Sequence, residues 1–309
     1  MTQAERAELA ALAGDLGADL RFDRPLAELT TWHIGGPADA VVQPHTRNAL
    51  CAVVGWCRAG GWPCRLLGNG SNLLAPDNGV DGVVLHLANQ MTQTTWDGTR
   101  LEADAGCFLP KLAREAADRG LSGLECVVGV PGTVGGGCVT NAGIPSGTLS
   151  DTLVDADLLL PDGEVRRAAA PDMAFGHRQS VLRREPWLAL GARFELRPDE
   201  PEAIRARLTE HLAYRRRTQP LNLPSCGSVF RRPAEGFPGA LIEAAGGKGL
   251  RLGDAQVSEL HANWIVNLGS ATAAEVRALI DQVSALVLAH SGVELVLEVE
   301  IWPERADKR

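Results

Sequence analysis

Two glycine-rich loops carry the residues of this chain best suited to chemistry. Gly68-Asn69-Gly70-Ser71-Asn72 follows the short apolar run Pro63-Cys-Arg-Leu-Leu67. A turn of this composition offers successive backbone N–H groups to phosphate oxygens, because glycine adopts φ > 0 and has no side chain to block approach. The second stretch contains Pro131-Gly132-Thr133-Val134-Gly135-Gly136 and Asn141-Ala142-Gly143, and from Cys126 to Ser150 it has no charged residue and seven glycines. Its length alone would suit a membrane span, but so much glycine, with Pro131 and Pro145, is incompatible with a stable spanning helix. Such backbone is made to lie against something large and flat, or against phosphate. Neither loop is a Rossmann fingerprint, since Leu73 stands where the third glycine belongs and no acidic residue follows about twenty positions on. Two such loops about sixty residues apart point to a phosphate-bearing cofactor held between two lobes.

The elements that position these loops read as follows. An N-terminal helix carries Leu9, Leu12, Ala13 and Leu16 on one face. Residues 21–90 read as β-α-β, with a strand at Val41-Val42, a helix from Thr46 as N-cap to Gly60 as C-cap, and a strand Gly82–Leu87. A second unit, 91–198, has a helix Leu109–Arg119 stopped by Gly120, the glycine-rich stretch, and strands around Asp155–Leu160 and Leu188–Leu196. Pro198 and Pro201 mark a linker. The last domain, 199–309, opens with a helix through Ile204, Leu208 and Leu212. It closes with a helix begun by the capping box Thr272-Ala-Ala-Glu275 and stopped by Gly292. Val293, Leu295, Leu297, Val299 and Ile301 then alternate as one strand face, which puts Glu294, Glu298 and Glu300 together on the other.

Composition excludes several classes. Seven cysteines without a C-x-x-C pair, and seven scattered histidines, give neither a disulfide framework nor a metal site. The first twenty residues are charged and hold no apolar h-region, so a cytoplasmic protein is expected. A net charge of −8 disfavours nucleic acid as a partner. An anionic ligand therefore needs local positive charge, and Arg215-Arg216-Arg217 and Arg231-Arg232 offer it. The first triplet attracts a diphosphate or simply complements a helix dipole, and the sequence leaves both open.

Thr31-Trp-His-Ile-Gly35-Gly36-Pro37, Leu67–Leu73, Gly120-Leu-Ser-Gly-Leu-Glu125, Pro131–Gly136 and Asn141–Gly143 occur in an order and spacing that resemble the UDP-N-acetylenolpyruvoylglucosamine reductase family. Gln219-Pro220, Pro224-Ser-Cys-Gly-Ser-Val-Phe230, Val257-Ser258, His261-Ala-Asn263 and Leu295-Val-Leu-Glu-Val299 continue the resemblance, which covers about residues 20 to 302. It implies an α+β fold: a two-lobed FAD-binding unit of the vanillyl-alcohol-oxidase (PCMH) type and a C-terminal substrate-binding domain. It also implies non-covalent FAD, NADPH as hydride donor and UDP-N-acetylglucosamine enolpyruvate as substrate, with no membrane partner, in an enzyme expected to act as a monomer. Cofactor contacts carried over are Gly35, Gly36, Gly68, Asn69, Gly70, Ser71, Asn72, Pro131, Gly132, Thr133, Gly135, Gly136, Asn141, Ala142 and Gly143. Substrate contacts are Arg216, Arg217, Gln219, Arg231 and Asn263.

In that family the enolpyruvyl ether is reduced, so charge develops beside a carboxylate and one carbon must be protonated. The matching proton donor is Ser228, with Arg178 at the substrate carboxylate and Glu298 as the second charge-managing residue. Periodicity does not separate Glu298 from its two neighbours; only the pattern Leu295-x-x-Glu298-Val299 after Gly292 selects it. Cys226 is a rival nucleophile without an identifiable base. Two positions depart from the family pattern: His177 stands for its tyrosine, and Arg231-Arg232 for its Lys-Asn. The long tyrosine-bearing insertion of one subclass is absent from the sequence. Two other functions remain to be weighed. One is an alcohol or sugar oxidase on the same flavin fold, for which His33 would be the covalent attachment point. The other is a non-catalytic flavin- or nucleotide-binding protein.

Overall fold

Local capping chemistry sets most helix ends in the computed structural model, which describes residues 1–305. Thr46 caps the helix Arg47–Ala59 by accepting the Ala49 N–H, and Gly60 ends it. Thr272 and Glu275 form the expected reciprocal capping box of Ala273–Ser291, and Gly292 closes that helix at φ 71°. The chain divides into two compact units, each discontinuous in sequence. Met1–Phe22, Ala40–Asn69 and Gly82–Tyr214 make the first; Asp23–Asp39, Gly70–Asp81 and the residues from Arg215 onward make the second.

The first unit is organised around two sheets. A four-stranded sheet runs in the order Asp19–Pro25, Pro37–Gln43, Val80–His86, Cys64–Leu67, the last two strands parallel. Leu50, Val53, Val54 and Cys57 of Arg47–Ala59 pack with its Ala40, Val42, Val83 and Leu85. A five-stranded antiparallel sheet runs in the order Val165–Ala169, Leu153–Leu159, Leu188–Glu195, Arg100–Asp104, Thr94–Asp97. Its core takes in Leu109, Leu112 and Ala116 of helix Leu109–Asp118 and Val134 and Cys138 of helix Val134–Thr140. Ile204, Leu208 and Leu212, from helix Pro201–Thr218, join this same core.

The second unit buries Trp32, Ile34, Phe230, Val276, Leu279, Ile280 and Val283 in one cluster. A three-stranded meander, Arg251–Leu252, Ala255–Val257 and Ile265–Asn267, lies with helices Pro238–Ala244 and Ala273–Ser291. Trp32 is fully buried; its indole N–H donates to the Ile265 carbonyl at 2.9 Å, and Asn267 donates to the Trp32 carbonyl at 3.0 Å.

One expected element is different. The alternating segment Val293–Ile301 is not one continuous strand: only Glu300–Ile301 pairs in a ladder, parallel to Leu73–Leu74, and Leu297 makes a single bridge to Phe230. The Val229 carbonyl accepts both Glu298 N–H at 2.8 Å and Val299 N–H at 3.3 Å, while Glu300 N–H turns to the Asn72 carbonyl at 3.0 Å. The segment changes partner within three residues, and that breaks the ladder.

A dense charge network covers the five-stranded sheet. The Asp157 carboxylate, 6% exposed, accepts hydrogen bonds from Arg193 at 2.7 Å and Arg47 at 2.8 Å. Burial alone would push this carboxyl up, but hydrogen bonds and charge from Arg193 and Arg47 outweigh it and hold it at about 2. A carboxyl depressed from 3.8 to about 2 contributes about 2 kcal/mol to stability, present above its ordinary value and lost as pH falls through the folded one. Asp157→Asn is therefore expected to lower the melting temperature at neutral pH, with the gap to wild type closing between about pH 4 and about pH 2. Thermal melts across that range check it; a gap that stays constant to pH 2 would show that Asp157 acts by packing alone.

Candidate active site

The two glycine loops meet within the first unit. Asn69 donates its side-chain amide to the Pro131 carbonyl at 2.8 Å, and a Cβ on Gly68 would come within 2.6 Å of the Thr133 hydroxyl oxygen. Thr133 is the N-cap of Val134–Thr140, its hydroxyl facing Gly136 N–H. The glycines then separate into two kinds. Gly35, Gly36, Gly70 and Gly143 are demanded by the fold, since a Cβ on each would fall within 3.0 Å of protein atoms. Gly132 and Gly136 are not: the nearest atoms to a Cβ there lie at 3.7 and 3.8 Å, and neither has positive φ. Nothing in the chain's own packing or backbone requires glycine at these two places. Glycine at such places leaves the backbone open to close approach by a ligand.

Asn141 ends that short helix in the left-handed region, at φ 46°. Its amide donates to the Gly176 carbonyl at 3.3 Å and accepts from Ser150 N–H at 3.1 Å. Gly176 and Gln179 exchange two backbone hydrogen bonds, so His177 and Arg178 form the tip of a tight turn. Arg178 sits at φ 56°, uncommon for a residue with a side chain, and its guanidinium reaches the Gly143 carbonyl at 3.1 Å. The Asn141–Gly143 segment thus holds both the base of the Arg178 turn and its guanidinium.

The second unit brings Ser228 and Glu298 together through their neighbours. Gly227, at φ 81° with open space around it, precedes Ser228. Val229 and Phe230 then lie between two partners. On one edge Glu298 N–H donates to the Val229 carbonyl and Arg231 N–H to the Val296 carbonyl, each at 2.8 Å; on the other stands Asn263. Glu298 is half-buried, whereas Glu294 and Glu300 are exposed, so the structure separates the three carboxylates that periodicity leaves equivalent. Cys226 is buried, and desolvation with the Glu298 charge pushes its thiol well up, leaving it protonated and unfit as a nucleophile. The Arg231 Nε is buried with no hydrogen-bond partner among the described residues.

The half-loop Gly70–Asn72 belongs to this same hydrogen-bonded assembly. Asn72 donates to the Glu298 carbonyl at 3.2 Å. The Thr31 hydroxyl lies 2.7 Å from the Ser225 carbonyl and 3.4 Å from the Gly70 carbonyl, while Thr31 N–H donates to Gly70 at 3.2 Å. Thr31 therefore ties the glycine loop to the chain leading into Ser228. Its partners are 39 and 194 positions away, so no local pattern reveals this role; Thr31 stands out in the sequence only as part of the Thr31–Pro37 motif.

The remaining positions are placed as follows. Arg178 and the loops 131–136 and 141–143 lie in the first unit; Gly35, Gly36, Arg216, Arg217, Gln219, Ser228, Arg231, Asn263 and Glu298 lie in the second. Gln219 accepts from Arg215, which is half-buried, while Arg216 and Arg217 are exposed. Arg232 stacks on Phe237, its guanidinium carbon 4.1 Å from the ring centre. The seven cysteines are free thiols.

Comparison with known proteins agrees with this geometry. Residues 38–169 match the model of an FAD binding domain, and residues 219–302 match that of the UDP-N-acetylenolpyruvoylglucosamine reductase C-terminal domain. A UDP-N-acetylenolpyruvoylglucosamine reductase of Moorella thermoacetica is 43% identical over 96% of this chain and 99% of its own length. One from a Synechococcus strain is 46% identical over 91% of this chain and 93% of its own. The crystal structure of the UDP-N-acetylenolpyruvylglucosamine reductase from Thermus caldophilus matches with a TM-score of 0.78 at 36% identity, covering 93% of this chain and 99% of that one. An α+β fold with an FAD-binding domain and these loops defines an FAD-containing oxidoreductase. The chain belongs to the UDP-N-acetylenolpyruvoylglucosamine reductase family.

The two kinds of glycine make a direct test. Gly136→Val is expected to leave the apoprotein folded, with an unchanged circular dichroism spectrum, yet to purify colourless and without releasable FAD. Gly70→Val is expected to damage folding itself, since its Cβ would sit 2.2 Å from the Leu29 carbonyl oxygen. A yellow, FAD-replete Gly136→Val protein would show that the loop does not lie against the cofactor.

Proposed function

We infer that this chain catalyses the NADPH-dependent, FAD-mediated reduction of the enolpyruvyl ether of UDP-N-acetylglucosamine enolpyruvate to UDP-N-acetylmuramate, a step in making peptidoglycan precursors. The observation that carries the reading is the backbone register joining Val229 to Glu298, which sets Ser228 and Glu298 on neighbouring stretches of one hydrogen-bonded assembly. Bound FAD supplies the hydride relay from NADPH to the substrate. The Gly68–Asn72 and Pro131–Gly136 loops would hold it, together with Gly35, Gly36 and Asn141–Gly143, as the family resemblance implies.

The protein's own tasks are to manage charge and deliver one proton. Ser228 gives its hydroxyl proton to the carbon beside the substrate carboxylate, as that carbon gains negative charge. A serine hydroxyl is a weak acid, so the cation of Arg231, three residues on, eases the transfer; its Nε lacks a protein acceptor among the described residues. Arg178 binds the substrate carboxylate, for which a planar guanidinium is the matching shape. The Gly143 carbonyl, accepting from it at 3.1 Å, holds that guanidinium in place. Glu298, half-buried, manages the charge of the protonation step. Arg216 and Arg217 are exposed, and their positive charge suits the nucleotide diphosphate. The free thiols suit the reducing cytoplasm, where we place the reaction.

Two measurements test the reading. NADPH oxidation by the purified holoenzyme is expected to depend on added enolpyruvyl sugar nucleotide; steady oxidation without it, or oxidation of an alcohol or sugar instead, favours the oxidase alternative. In single-turnover experiments Ser228→Ala is expected to leave flavin reduction by NADPH intact and to slow reoxidation by the enolpyruvyl substrate about 100-fold or more. Equal slowing of both half-reactions would make Ser228 structural.

A further inference from the structure

We propose that Asn263 is a positioning residue for proton delivery: its side-chain amide fixes the Val229-Phe230 backbone and so sets where the Ser228 hydroxyl stands. This rests on the reading of Ser228 as the proton donor. Asn263 also bears the resemblance to a substrate contact, but its amide is spent elsewhere. The side chain is 5% exposed; its oxygen accepts Phe230 N–H at 3.0 Å, and its nitrogen donates to the Phe230 carbonyl at 2.9 Å. Its own carbonyl accepts Val229 N–H at 2.9 Å, and its N–H is held by His261 Nδ1 at 3.2 Å. Three of these four bonds go to the two residues that follow Ser228.

The physical role follows from what the segment lacks. The chain Val229–Arg231 bonds along one edge to Val296–Glu298, but on its other edge no strand among the described residues runs beside it. The Asn263 amide takes the place of a peptide group there, supplying one donor and one acceptor in the geometry a neighbouring strand would give. Immediately before Ser228, Gly227 sits at φ 81° with nothing within 4 Å of where a Cβ would be. A glycine at positive φ with open space on its Cβ side offers little side-chain packing to hold the residue after it. With so little to hold it on one side, the serine is located by the clamp on the other. Proton transfer falls off steeply with misplacement of the donor, so a clamp on residues 229 and 230 acts on rate without touching substrate. Only an amide of this length satisfies both ends: a carboxylate at 263 keeps one acceptor on Phe230 N–H but sets its other oxygen against the Phe230 carbonyl, and an alkyl side chain leaves both Phe230 groups buried and unpaired.

The test compares Asn263→Ala, Asn263→Asp and Ser228→Ala in the FAD-loaded enzyme by single-turnover kinetics. Asn263→Ala and Asn263→Asp are expected to slow flavin reoxidation by the enolpyruvyl substrate about 10- to 100-fold, while flavin reduction by NADPH stays within about twofold. The deuterium-solvent effect on reoxidation should rise above wild type, because proton delivery then limits the step. The double variant Ser228→Ala/Asn263→Ala should be no slower than Ser228→Ala alone, since a clamp has no effect once its hydroxyl is gone. Independently of turnover, hydrogen exchange at the Val229 and Phe230 amides should speed up. If Asn263→Ala does not fold, the isosteric Asn263→Asp decides. Parallel slowing of both half-reactions, an additive double variant, or unchanged reoxidation in the folded Asn263 variants overturns the proposal while leaving Ser228 in place. Unchanged reoxidation in Ser228→Ala overturns the reading of Ser228 and this inference with it.

Discussion

The second unit depends on the hydrogen bonds that hold Val229-Phe230 from both edges. On one edge the backbone of Val296–Glu298 fixes which carboxylate faces inward; on the other, Asn263 fixes the segment laterally. Phe230 itself is fully buried in the hydrophobic cluster with Val276, Leu279 and Val283. The reactive end of the segment is thus anchored by apolar packing that costs nothing in polarity, while Ser228 and Arg231 at its two ends stay only half-buried. Removing any one of these three supports leaves the other two unable to define both position and orientation. A buried peptide edge without partners is expensive, which explains why the device uses an amide rather than an apolar neighbour.

The same logic extends from the serine segment to the glycine loop. Asn72 bonds to the backbone of Glu298 and Glu300, and Thr31 bonds to both Gly70 and Ser225. The Gly70–Asn72 loop and the segment around Ser228 therefore share supports inside the second unit. In the first unit, the Asn141–Gly143 segment that follows the glycine-rich helix supports Arg178 in the same manner. On the proposed reading, Arg178 and the Ser228 segment are each tied to a glycine loop by hydrogen bonds, Arg178 through Gly143 and the Ser228 segment through Thr31.

Much of this was legible in the sequence because it is local chemistry. Thr46, Gly60, Thr272, Glu275 and Gly292 act within one helical turn, and their capping roles are as expected. The strand at Val293–Ile301 was misread because alternation reports which faces are apolar, not which partner each backbone group finds; Val229 and Asn72 divide it between them. The helix Pro201–Thr218 opens after two prolines that look like a linker, yet Ile204, Leu208 and Leu212 join the core of the five-stranded sheet, a contact no composition shift announces. Glu298 needed burial to be told from Glu294 and Glu300. Thr31 and Asn263 needed coordinates, since a side chain bonding to remote backbone leaves no periodic trace.

Gly132 and Gly136 place two positions outside the reach of folding. Their backbone angles and surroundings would admit a Cβ without strain, and Gly136 lies in a helix, where alanine is the better former, so folding does not favour glycine at either place. Cellular proteolysis removes proteins that unfold, and it would not recognise a change at either position as damage. Such a chain would accumulate as an intact, colourless protein, competing for nothing and correcting nothing, and only the failure of the pathway would report it. Gly70 and Gly36 are guarded by stability; if the 131–136 loop lies against the flavin as proposed, Gly132 and Gly136 are guarded by function alone.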